Sequence, residues 1–364
     1  MPSNFFGELF RITTWGESHG NAVGVTIDGI PAGLEISTAI IEEHLKWRRP
    51  GRKLTSPRKE QDIPEIVSGL FDGKSTGAPL SIIFKNTNAK KSQYQHLADK
   101  LRPGHANYSY LKKYGIYDYN GGGRASARET VCRVAAGAIA AQLLKPLGIS
   151  VHTFLSEVGN ISLPSNYWPS VNDLDNILTS PVFCPDNFTS QNIINLIEKK
   201  QAEGDSVGGT VKFLIKGAPA GLGEPIYQKL EAKLAYAMLS IPASKGFEIG
   251  SGFSASKQTG SSHNDLWQND KTSQIKQNTN NCGGILGGIS TGADIYGAVA
   301  FKPTSSIKKP QNTLDLNGKE TILELPKDAR HDPCVAIRAT AVVKAMCFIT
   351  LADAYLANKL AKAF

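Results

Sequence analysis

The sequence predicts an α+β fold in a single domain that covers residues 1–364. Some short segments alternate apolar and polar residues with the period of a strand, and longer segments carry the apolar spacing of a helix. A chain of this length could form one large domain or two smaller ones. Because no long polar linker divides it, one domain is favoured.

Strand and helix signals follow one another along the chain. Residues 10–15 and 23–27 alternate as strands do. Five segments have helical spacing: 37–49, 126–144, 190–200, 225–239 and 333–362. Ser37 is the expected N-cap of the first helix, and Pro50 and Gly51 end it. The second is rich in Ala and Gly and almost uniformly apolar, which favours close packing in the interior.

An internal similarity links the two halves of the chain. Residues 25–34 and 213–222 each run from a predicted strand into Gly-x-Pro-Ala-Gly-Leu, and a helix follows. Two related half-structures around a pseudo-twofold axis would produce this pattern, and so would a coincidence of turn chemistry. The Gly-, Ser- and Asn-rich stretch 250–284 is predicted to be a long functional loop.

Composition narrows the functional classes. The net charge of +8 suits nucleic acid, an acidic membrane surface or small anionic ligands. The basic residues stand singly in Gly- and Ser-rich motifs, which favours anion pockets over a nucleic-acid surface. Five scattered cysteines without a CxxC pair indicate a reducing cytoplasm and no metal site. No apolar run approaches the roughly 20 residues of a membrane span, and no signal peptide is evident.

Two histidines lie in glycine-bounded loops. His19 stands in Gly-Glu-Ser-His-Gly directly after a predicted strand, and His105 stands in Arg-Pro-Gly-His-Ala. Glycine lets the backbone approach a ligand closely, and histidine can transfer protons near neutral pH. Each could equally be a structural histidine, so the pair is a hint of catalysis.

A stronger signal is Gly-Gly-Gly-Arg-Ala-Ser-Ala-Arg-Glu at residues 121–129. Ser126 and Glu129 have the spacing of a capping box at the start of the second helix. Exposed N–H groups there, with Arg124 and Arg128 one turn apart, would form an anion site. The alternative is a flexible loop before an ordinary helix.

Two later segments complete the set. The glycine-rich run 282–292 lacks the dinucleotide fingerprint and suggests a backbone surface without side chains, against which a flat ligand could lie. The run 302–306 adds a cation and three hydroxyls suited to phosphate. In Arg-His-Asp-Pro-Cys, residues 330–334, Asp332 is the expected N-cap of the last helix.

Taken together, these segments closely resemble the chorismate synthase family. The resemblance runs from Phe10 to about Leu351 and keeps seven motifs in order. They are Gly-Glu-Ser-His-Gly, Arg-Arg-Pro-Gly, Arg-Pro-Gly-His-Ala, Gly-Gly-Gly-Arg-x-Ser-Ala-Arg-Glu-Thr, Gly-Gly-Ile-Leu-Gly-Gly-Ile-Ser, Lys-Pro-Thr-Ser-Ser and Arg-His-Asp-Pro-Cys. Seven motifs in one order are highly specific.

The resemblance implies a lyase that eliminates phosphate from 5-enolpyruvylshikimate-3-phosphate to give chorismate, the last step of the shikimate pathway. It implies reduced FMN as cofactor, with NADPH only as a source of flavin reduction. It also implies a β-α-β sandwich of antiparallel sheets around a helical core, and a homotetramer. No extra reductase segment is evident, which favours an external flavin reductase.

The resemblance also assigns roles to residues. The implied catalytic residues are His19, His105 and Asp332. The implied FMN contacts are Arg124, Ala125, Ser126, Gly287, Lys302, Pro303, Thr304, Ser305, Ser306 and Arg330. The implied substrate contacts are Arg48, Arg49, Arg128 and Arg330.

Two positions depart from the family pattern. Ala125 replaces a commoner Ser, and Pro242 stands where Asn is common, so two polar contacts to FMN are in doubt. Two other classes remain as alternatives. An NAD(P)-dependent oxidoreductase would explain the glycines, and an anion- or nucleic-acid-binding protein on the same scaffold would explain the charge.

Overall fold

Strands supply two layers of the fold. The computed structural model describes residues 3–58, 60–87, 95, 97–164, 167–269, 275–326, 329 and 331–361. Within these ranges the strands are β1 Phe5–Phe6, β2 Arg11–Trp15, β3 Ala22–Asp28, β4 Glu65–Ser68, β5 Leu70–Phe71, β6 Lys74–Ser75, β7 Leu80–Lys85, β8 Ser150–Val158, β9 Ile161–Ser162, β10 Gly209–Lys216, β11 Ser244–Ile249, β12 Trp267–Asn269, β13 Ile275–Gln277, β14 Ile285–Leu286, β15 Ile289–Ser290, β16 Ile295–Phe301, β17 Gln311–Leu314 and β18 Glu320–Leu323.

Helices form the layer between them. The described helices are α1 Thr38–Arg48, α2 Asn107–Tyr114, α3 Thr130–Leu144, α4 Val171–Thr179, α5 Asn187–Ala202, α6 Leu230–Leu239, α7 Gly260–His263 and α8 Ala336–Asn358. Short 3-10 turns occupy Gly123–Ala125, Ala127–Glu129, Lys145–Leu147 and Gly252–Lys257.

The larger strands form two antiparallel sheets. In the described residues, the first has the order β1-β2-β3-β7-β4 and the second the order β11-β16-β10-β8-β9. Along β2, exposed and buried residues alternate, as expected for a strand with one face on the core. Helix α3 contacts β2, β3 and β7, and α8 contacts β8 and β10. The predicted α+β sandwich is therefore confirmed.

The centre of the helical layer is the contact between α3 and α8. A Cβ on Gly137 would lie 2.5 Å from the Cβ of Ala345, so only glycine allows the two helices to approach so closely. Nearly every residue of α3 from Thr130 to Leu144 is buried, as its apolar composition predicts. Residues of both sheets and of these helices belong to one continuous hydrophobic cluster.

The two halves repeat one arrangement, which agrees with the predicted pseudo-twofold. Chain order β2-β3-α1-β4-β7-α3 in the first half matches β8-β10-α6-β11-β16-α8 in the second. Within the sheets, the spatial orders β2-β3-β7-β4 and β8-β10-β16-β11 match as well. The two Gly-x-Pro-Ala-Gly-Leu segments directly follow β3 and β10, the middle strand of each sheet. Equivalent turns thus occupy equivalent places.

Three details of the predicted helix ends are wrong. The helix expected from residue 126 begins at Thr130, because the preceding residues form 3-10 turns. The capping box is absent there: the Ser126 hydroxyl accepts from the Arg128 N–H, and the Glu129 carboxylate binds Thr14 and Arg133 instead. The last helix begins at Ala336, so Asp332 does not cap it.

Other boundaries shift by fewer residues or divide a segment. Helix α1 begins directly after Ser37, whose side chain makes no capping bond, and α6 is shorter than expected. Helix α5 is longer than the predicted segment 190–200, because Asp186 accepts from the Thr189 N–H and caps it. Described parts of the stretch 250–284 contain a 3-10 turn, α7 and the β12-β13 hairpin.

Helix α8 also bears on the expectation that the chain has no membrane span. By length and composition it could cross a membrane. Its most apolar window is 83% buried within the protein, however. A helix enclosed by protein is apolar on all sides for the same reason as a membrane helix, so composition alone does not separate the two.

Candidate active site

A cavity of about 1280 Å³ opens where the glycine-rich segment 121–126, the loop before α2, the run 302–306 and the segment before α8 meet. Most of the predicted site residues line it. These are Arg48, His105, Arg124, Ala125, Ser126, Arg128, Lys302, Pro303, Thr304, Ser305, Ser306 and Asp332. Motifs distant in the sequence therefore line one cavity.

The described residues that line the cavity carry an excess of positive charge. Nine are Arg or Lys and five are Asp or Glu, an excess of four cations. Such a wall favours anionic ligands, because burying an anion costs free energy unless cations compensate it.

Three of the predicted site residues that the structure describes do not line the cavity. His19 lies directly behind the wall: a Cβ on Gly121, which lines the cavity, would be 2.1 Å from His19 Cε1. Arg49 points toward Asp62, whose carbonyl accepts from Nη2 at 3.4 Å. Gly287 lies in the turn between β14 and β15, away from the described cavity wall. Arg330 falls outside the described residues.

Arg48 and Arg128 converge on the buried carboxylate of Asp62. Arg48 donates from Nη1 to Oδ2 at 2.9 Å, and Arg128 donates from Nη1 to Oδ1. Arg128 also binds Glu60 at 2.9 Å. Burial lowers the pKa of Arg48 to about 10, although Asp62 opposes the shift. Burial alone would raise the pKa of Asp62, but the two arginines outweigh it and hold that pKa below its usual range.

Asp332 is fixed between two elements. Its Oδ1 accepts from the Ser56 N–H at 2.7 Å, and its Oδ2 accepts from Arg338 Nη1 at 2.8 Å. Burial would raise the pKa of Asp332, but Arg338 and the Ser56 N–H lower it below its usual range. Arg338 Nε in turn donates to the Arg48 carbonyl at 2.8 Å. The Asp332 carboxylate is thus ionised, and Arg338 links it to the backbone of Arg48.

Two neutral histidines also line the cavity. Burial lowers the pKa of His105 to about 3, and Arg102 and Lys302 contribute to the shift. Burial also lowers the pKa of His331 to about 4, with Arg102 contributing again. His105 Nδ1 accepts from the Asn107 N–H at 3.2 Å, which leaves Nε2 beside Gly122. At neutral pH both rings therefore act without charge.

The glycine-rich segment is held in place by Arg124. Gly121, Gly122 and Gly123 have φ angles of 68°, 91° and 53°, a region that disfavours other residues. Arg124 donates from Nη2 to the carbonyl and hydroxyl of Thr14 at 3.0 and 2.9 Å. Arg124 therefore ties this segment to β2 as well as lining the cavity.

The run 302–306 packs against the loop before α2. Lys302 Nζ donates to the Gly104 carbonyl, and Arg102 donates to the Ser306 hydroxyl at 2.6 Å. The buried Thr304 hydroxyl has no hydrogen-bond partner among the described residues, and Thr304 lines the cavity. A buried hydroxyl in that state is one that a bound ligand can satisfy.

Sequence reasoning missed several residues of this site. Asp62 and Glu60 were not predicted, and the only signal was their position in a charge-dense run after Arg-Arg-Pro-Gly. His331 and Arg102 stood inside quoted motifs, but no role was assigned to them. Arg338 is two turns along the last predicted helix from Asp332, and only the fold shows that they pair.

Comparisons with known proteins point to one family. The family model described as chorismate synthase matches residues 10–356. A chorismate synthase of Protochlamydia amoebophila is 53% identical over 99% of both chains. One of Christiangramia forsetii is 50% identical over 100% of both, and one of Methanosarcina mazei is 47% identical over 97% of this chain and 96% of its own.

The fold has a solved counterpart as well. A crystal structure of chorismate synthase superposes with a TM-score of 0.76 at 28% identity, covering 98% of this chain and 94% of the other. The chain therefore belongs to the chorismate synthase family. Members are flavin-dependent lyases that act on the phosphate of 5-enolpyruvylshikimate-3-phosphate.

Proposed function

We propose that the cavity is the active site in which 5-enolpyruvylshikimate-3-phosphate is converted to chorismate. The reaction is a trans-1,4 elimination: the C3–O bond to phosphate breaks, a C6 proton is lost, and a second ring double bond forms. The excess of cations on the cavity wall is the observation that carries the proposal. The substrate bears one phosphate and two carboxylates, which need compensating charges when they leave water.

We assign FMN, in its reduced form, to the same cavity. Arg124, Ala125, Ser126 and the run 302–306 line the cavity and would hold it. Arg330 and Gly287, which does not line the cavity, are contacts that the family resemblance alone implies. Two features of the cavity fit a flavin phosphate and ring edge: the unsatisfied Thr304 hydroxyl and the bare glycine backbone at 121–123. When bound, a reduced flavin would transiently donate electron density to the allylic system from which phosphate departs.

Substrate binding falls to Arg48 and Arg128, which line the cavity, with Arg49 and Arg330 as the further arginines that the family resemblance implies. Planar guanidinium groups suit carboxylates and phosphates better than ammonium groups do. Arg48 and Arg128 are charged and held on the cavity wall before any ligand arrives, which supports this assignment.

Proton handling falls to His19, His105 and Asp332. His19 would protonate the leaving phosphate, since its ring lies against Gly121, which lines the cavity. His105 would contact the flavin ring through its neutral imidazole and set the protonation of that ring. Asp332 remains ionised at neutral pH and would assist removal of the C6 proton.

An anaerobic assay tests the function directly. Protein is mixed with 5-enolpyruvylshikimate-3-phosphate and dithionite-reduced FMN, while phosphate release and chorismate absorbance are followed. Equal amounts of both products, and neither with oxidised FMN, would support the reaction and its cofactor together. A folded protein that binds FMN but forms neither product would contradict the proposal.

Variants test the assigned roles. We expect His19→Ala and Asp332→Asn to fold and to lose turnover by about 100- to 10,000-fold, the usual contribution of general acid or base catalysis. His263→Ala, on α7 and outside the cavity, is the matched control and should keep wild-type turnover. Turnover close to that of the wild type in both test variants would remove these roles.

We further propose a cytoplasmic homotetramer that acts as a single domain over residues 1–364. Exposed apolar side chains at Ile226, Tyr227 and Trp267, with exposed fractions of 68%, 90% and 56%, support contact with further copies. Light scattering after gel filtration measures the mass.

We also propose reduction of FMN by an external reductase; turnover with NADPH and FMN alone would contradict this.

A further inference from the structure

Asp62 lies between the two arginines that the proposed function assigns to the substrate. Each of its carboxylate oxygens serves one arginine, Oδ2 for Arg48 and Oδ1 for Arg128. The exposed fraction of the Asp62 side chain is 0%, and those of the two arginines are 2% and 3%. All three charges are therefore removed from water together.

Several further donors of both arginines are engaged as well. Arg48 donates from Nε to Thr130 Oγ1 at 2.9 Å and from Nη2 to the Ala127 carbonyl at 3.0 Å. Arg128 donates from Nε to Asn86 Oδ1 at 2.9 Å. The two guanidinium groups are thus oriented before ligand arrives, which lowers the entropy that binding must remove.

Electrostatics require a carboxylate at this place. Two buried guanidinium groups close to each other repel, and the repulsion is strong where water is excluded. Arg128 contributes to lowering the pKa of Arg48, whereas Asp62 raises it. Without Asp62 the two cations would separate or turn away from each other.

The backbone at Asp62 indicates the same requirement. Its φ of 48° lies in the left-handed region, where residues with side chains are uncommon and Asp and Asn are among the best tolerated. An unfavourable conformation that persists at a binding site is often tied to function. Because Asn tolerates it too, Asp62→Asn changes the charge with little change in the backbone preference.

We propose that Asp62, assisted by Glu60, is a positioning residue that sets the spacing and direction of Arg48 and Arg128 for the anionic substrate. This inference rests on the proposed function. It assigns Asp62 no contact with substrate; Asp62 acts through the two arginines.

The test measures KM and kcat for 5-enolpyruvylshikimate-3-phosphate in Asp62→Asn with reduced FMN. We expect KM to rise at least about tenfold and by a larger factor than kcat falls, because binding geometry is what is lost. Asp62→Glu, which keeps the charge, should give a KM between those of the wild type and Asp62→Asn. Asp173→Asn removes a carboxylate outside the cavity and should change neither constant.

An unchanged or lower KM in folded Asp62→Asn would overturn the proposal, since the carboxylate would then only oppose the charge of the substrate. If that variant does not fold, Glu60→Gln replaces it, because it removes a single contact to Arg128. We expect a KM about two- to fivefold above that of the wild type in that case, less than the full value of a charged hydrogen bond, because Asp62 still holds Arg128. An unchanged KM would again overturn the proposal.

A separate measurement distinguishes this inference from the proposed function. Wild-type protein without turnover would contradict the function, and calorimetric titration with inorganic phosphate would then replace KM. Weaker phosphate binding in Asp62→Asn than in the wild type would support positioning. Equal binding, or no binding to the wild type, would overturn it.

Discussion

Two walls of the cavity treat their charges differently. In the paired wall (Arg48, Arg128 and Glu60, together with the buried Asp62, which does not itself line the cavity), carboxylates neutralise the cations directly. In the cationic wall (Arg102, His105, Lys302, Thr304 and His331), Arg102 and Lys302 donate to the neutral oxygens of Ser306 and Gly104. Both walls are buried or half-buried, and the contacts named here differ in whether the acceptor carries a charge.

This contrast shows which wall a ligand completes. The paired wall is satisfied before binding, so its arginines offer fixed geometry. On the cationic wall, burial and nearby cations depress the pKa values of both histidines, and the Thr304 hydroxyl has no partner among the described residues. An anionic ligand there would offset the contribution of the nearby cations to both pKa values, and it would accept a hydrogen bond from Thr304.

The largest expected effect comes from breaking the paired wall with Arg128→Ala. Asp62 and Glu60 would each lose an ion pair, and leaving buried charges uncompensated typically costs about 3 to 5 kcal/mol. We therefore expect the free energy of unfolding to fall by about that amount and KM for substrate to rise. Urea denaturation followed by circular dichroism measures the first quantity, and steady-state assays measure the second.

Arg49→Ala is the matched variant for this prediction. Arg49 makes one long hydrogen bond of 3.4 Å to the Asp62 carbonyl, so its removal should cost about 1 kcal/mol or less. Equal stability losses in the two variants would show that the ion pairs of Arg128 stabilise the fold no more than the single hydrogen bond of Arg49 does.

A smaller effect should appear in the pH dependence of stability through the cationic wall. The folded pKa of His331 is about 4, below the unfolded value of 6.5. Folding therefore opposes protonation: the stabilising contribution is complete above pH 6.5 and is lost as pH falls toward 4. As pH falls through this window, we expect the free energy of unfolding of His331→Gln to fall less steeply than that of the wild type, by about 1 kcal/mol per pH unit. This difference is the linkage value for one group, reduced for partial solvent contact.

Chemical denaturation at pH 4.5, 5.5, 6.5 and 7.5 measures this slope. His263→Gln removes a histidine from α7, outside the cavity, and should keep the wild-type slope. A slope in His331→Gln identical to that of the wild type would mean that His331 protonates freely in the folded protein. The proposed depression of its pKa by the cationic wall would then be wrong.

Sequence reasoning predicted the parts of this molecule that local chemistry determines. The α3–α8 core follows from uniform apolar composition, and the repeated turns follow from glycine and proline. Twelve of the residues suggested by the motifs indeed line one cavity. Their catalytic and binding roles stay predictions until the variants are measured.

The features that sequence reasoning missed depend on contacts across the fold. Asp332 looked like a helix cap because Asp before Pro favours that role locally. In the structure Asp332 instead accepts hydrogen bonds from the Ser56 N–H and from Arg338. Ser56 and Asp332 are 276 residues apart in the sequence. Asp62 stood in a charged run that local rules assign to solvent, and only the convergence of α1 with the segment before α3 buries it.

The smallest expected effect concerns the unsatisfied hydroxyl of the cationic wall, through Thr304→Val. Valine has nearly the shape of threonine without the hydroxyl, so stability without ligand should stay the same or rise slightly. If the hydroxyl contacts bound FMN, the affinity for FMN should fall about two- to tenfold, the value of one neutral hydrogen bond. Anaerobic flavin titration in the presence of substrate measures the affinity.

Thr210→Val supplies the comparison for Thr304→Val, because Thr210 lies on β10 outside the cavity and its hydroxyl binds Glu157 at 3.2 Å. That variant should leave FMN affinity unchanged. A Thr304→Val protein with wild-type FMN affinity and lower stability would show that the hydroxyl is satisfied inside the folded chain. The cationic wall would then be complete without ligand, and the contrast with the paired wall would rest on its histidines alone.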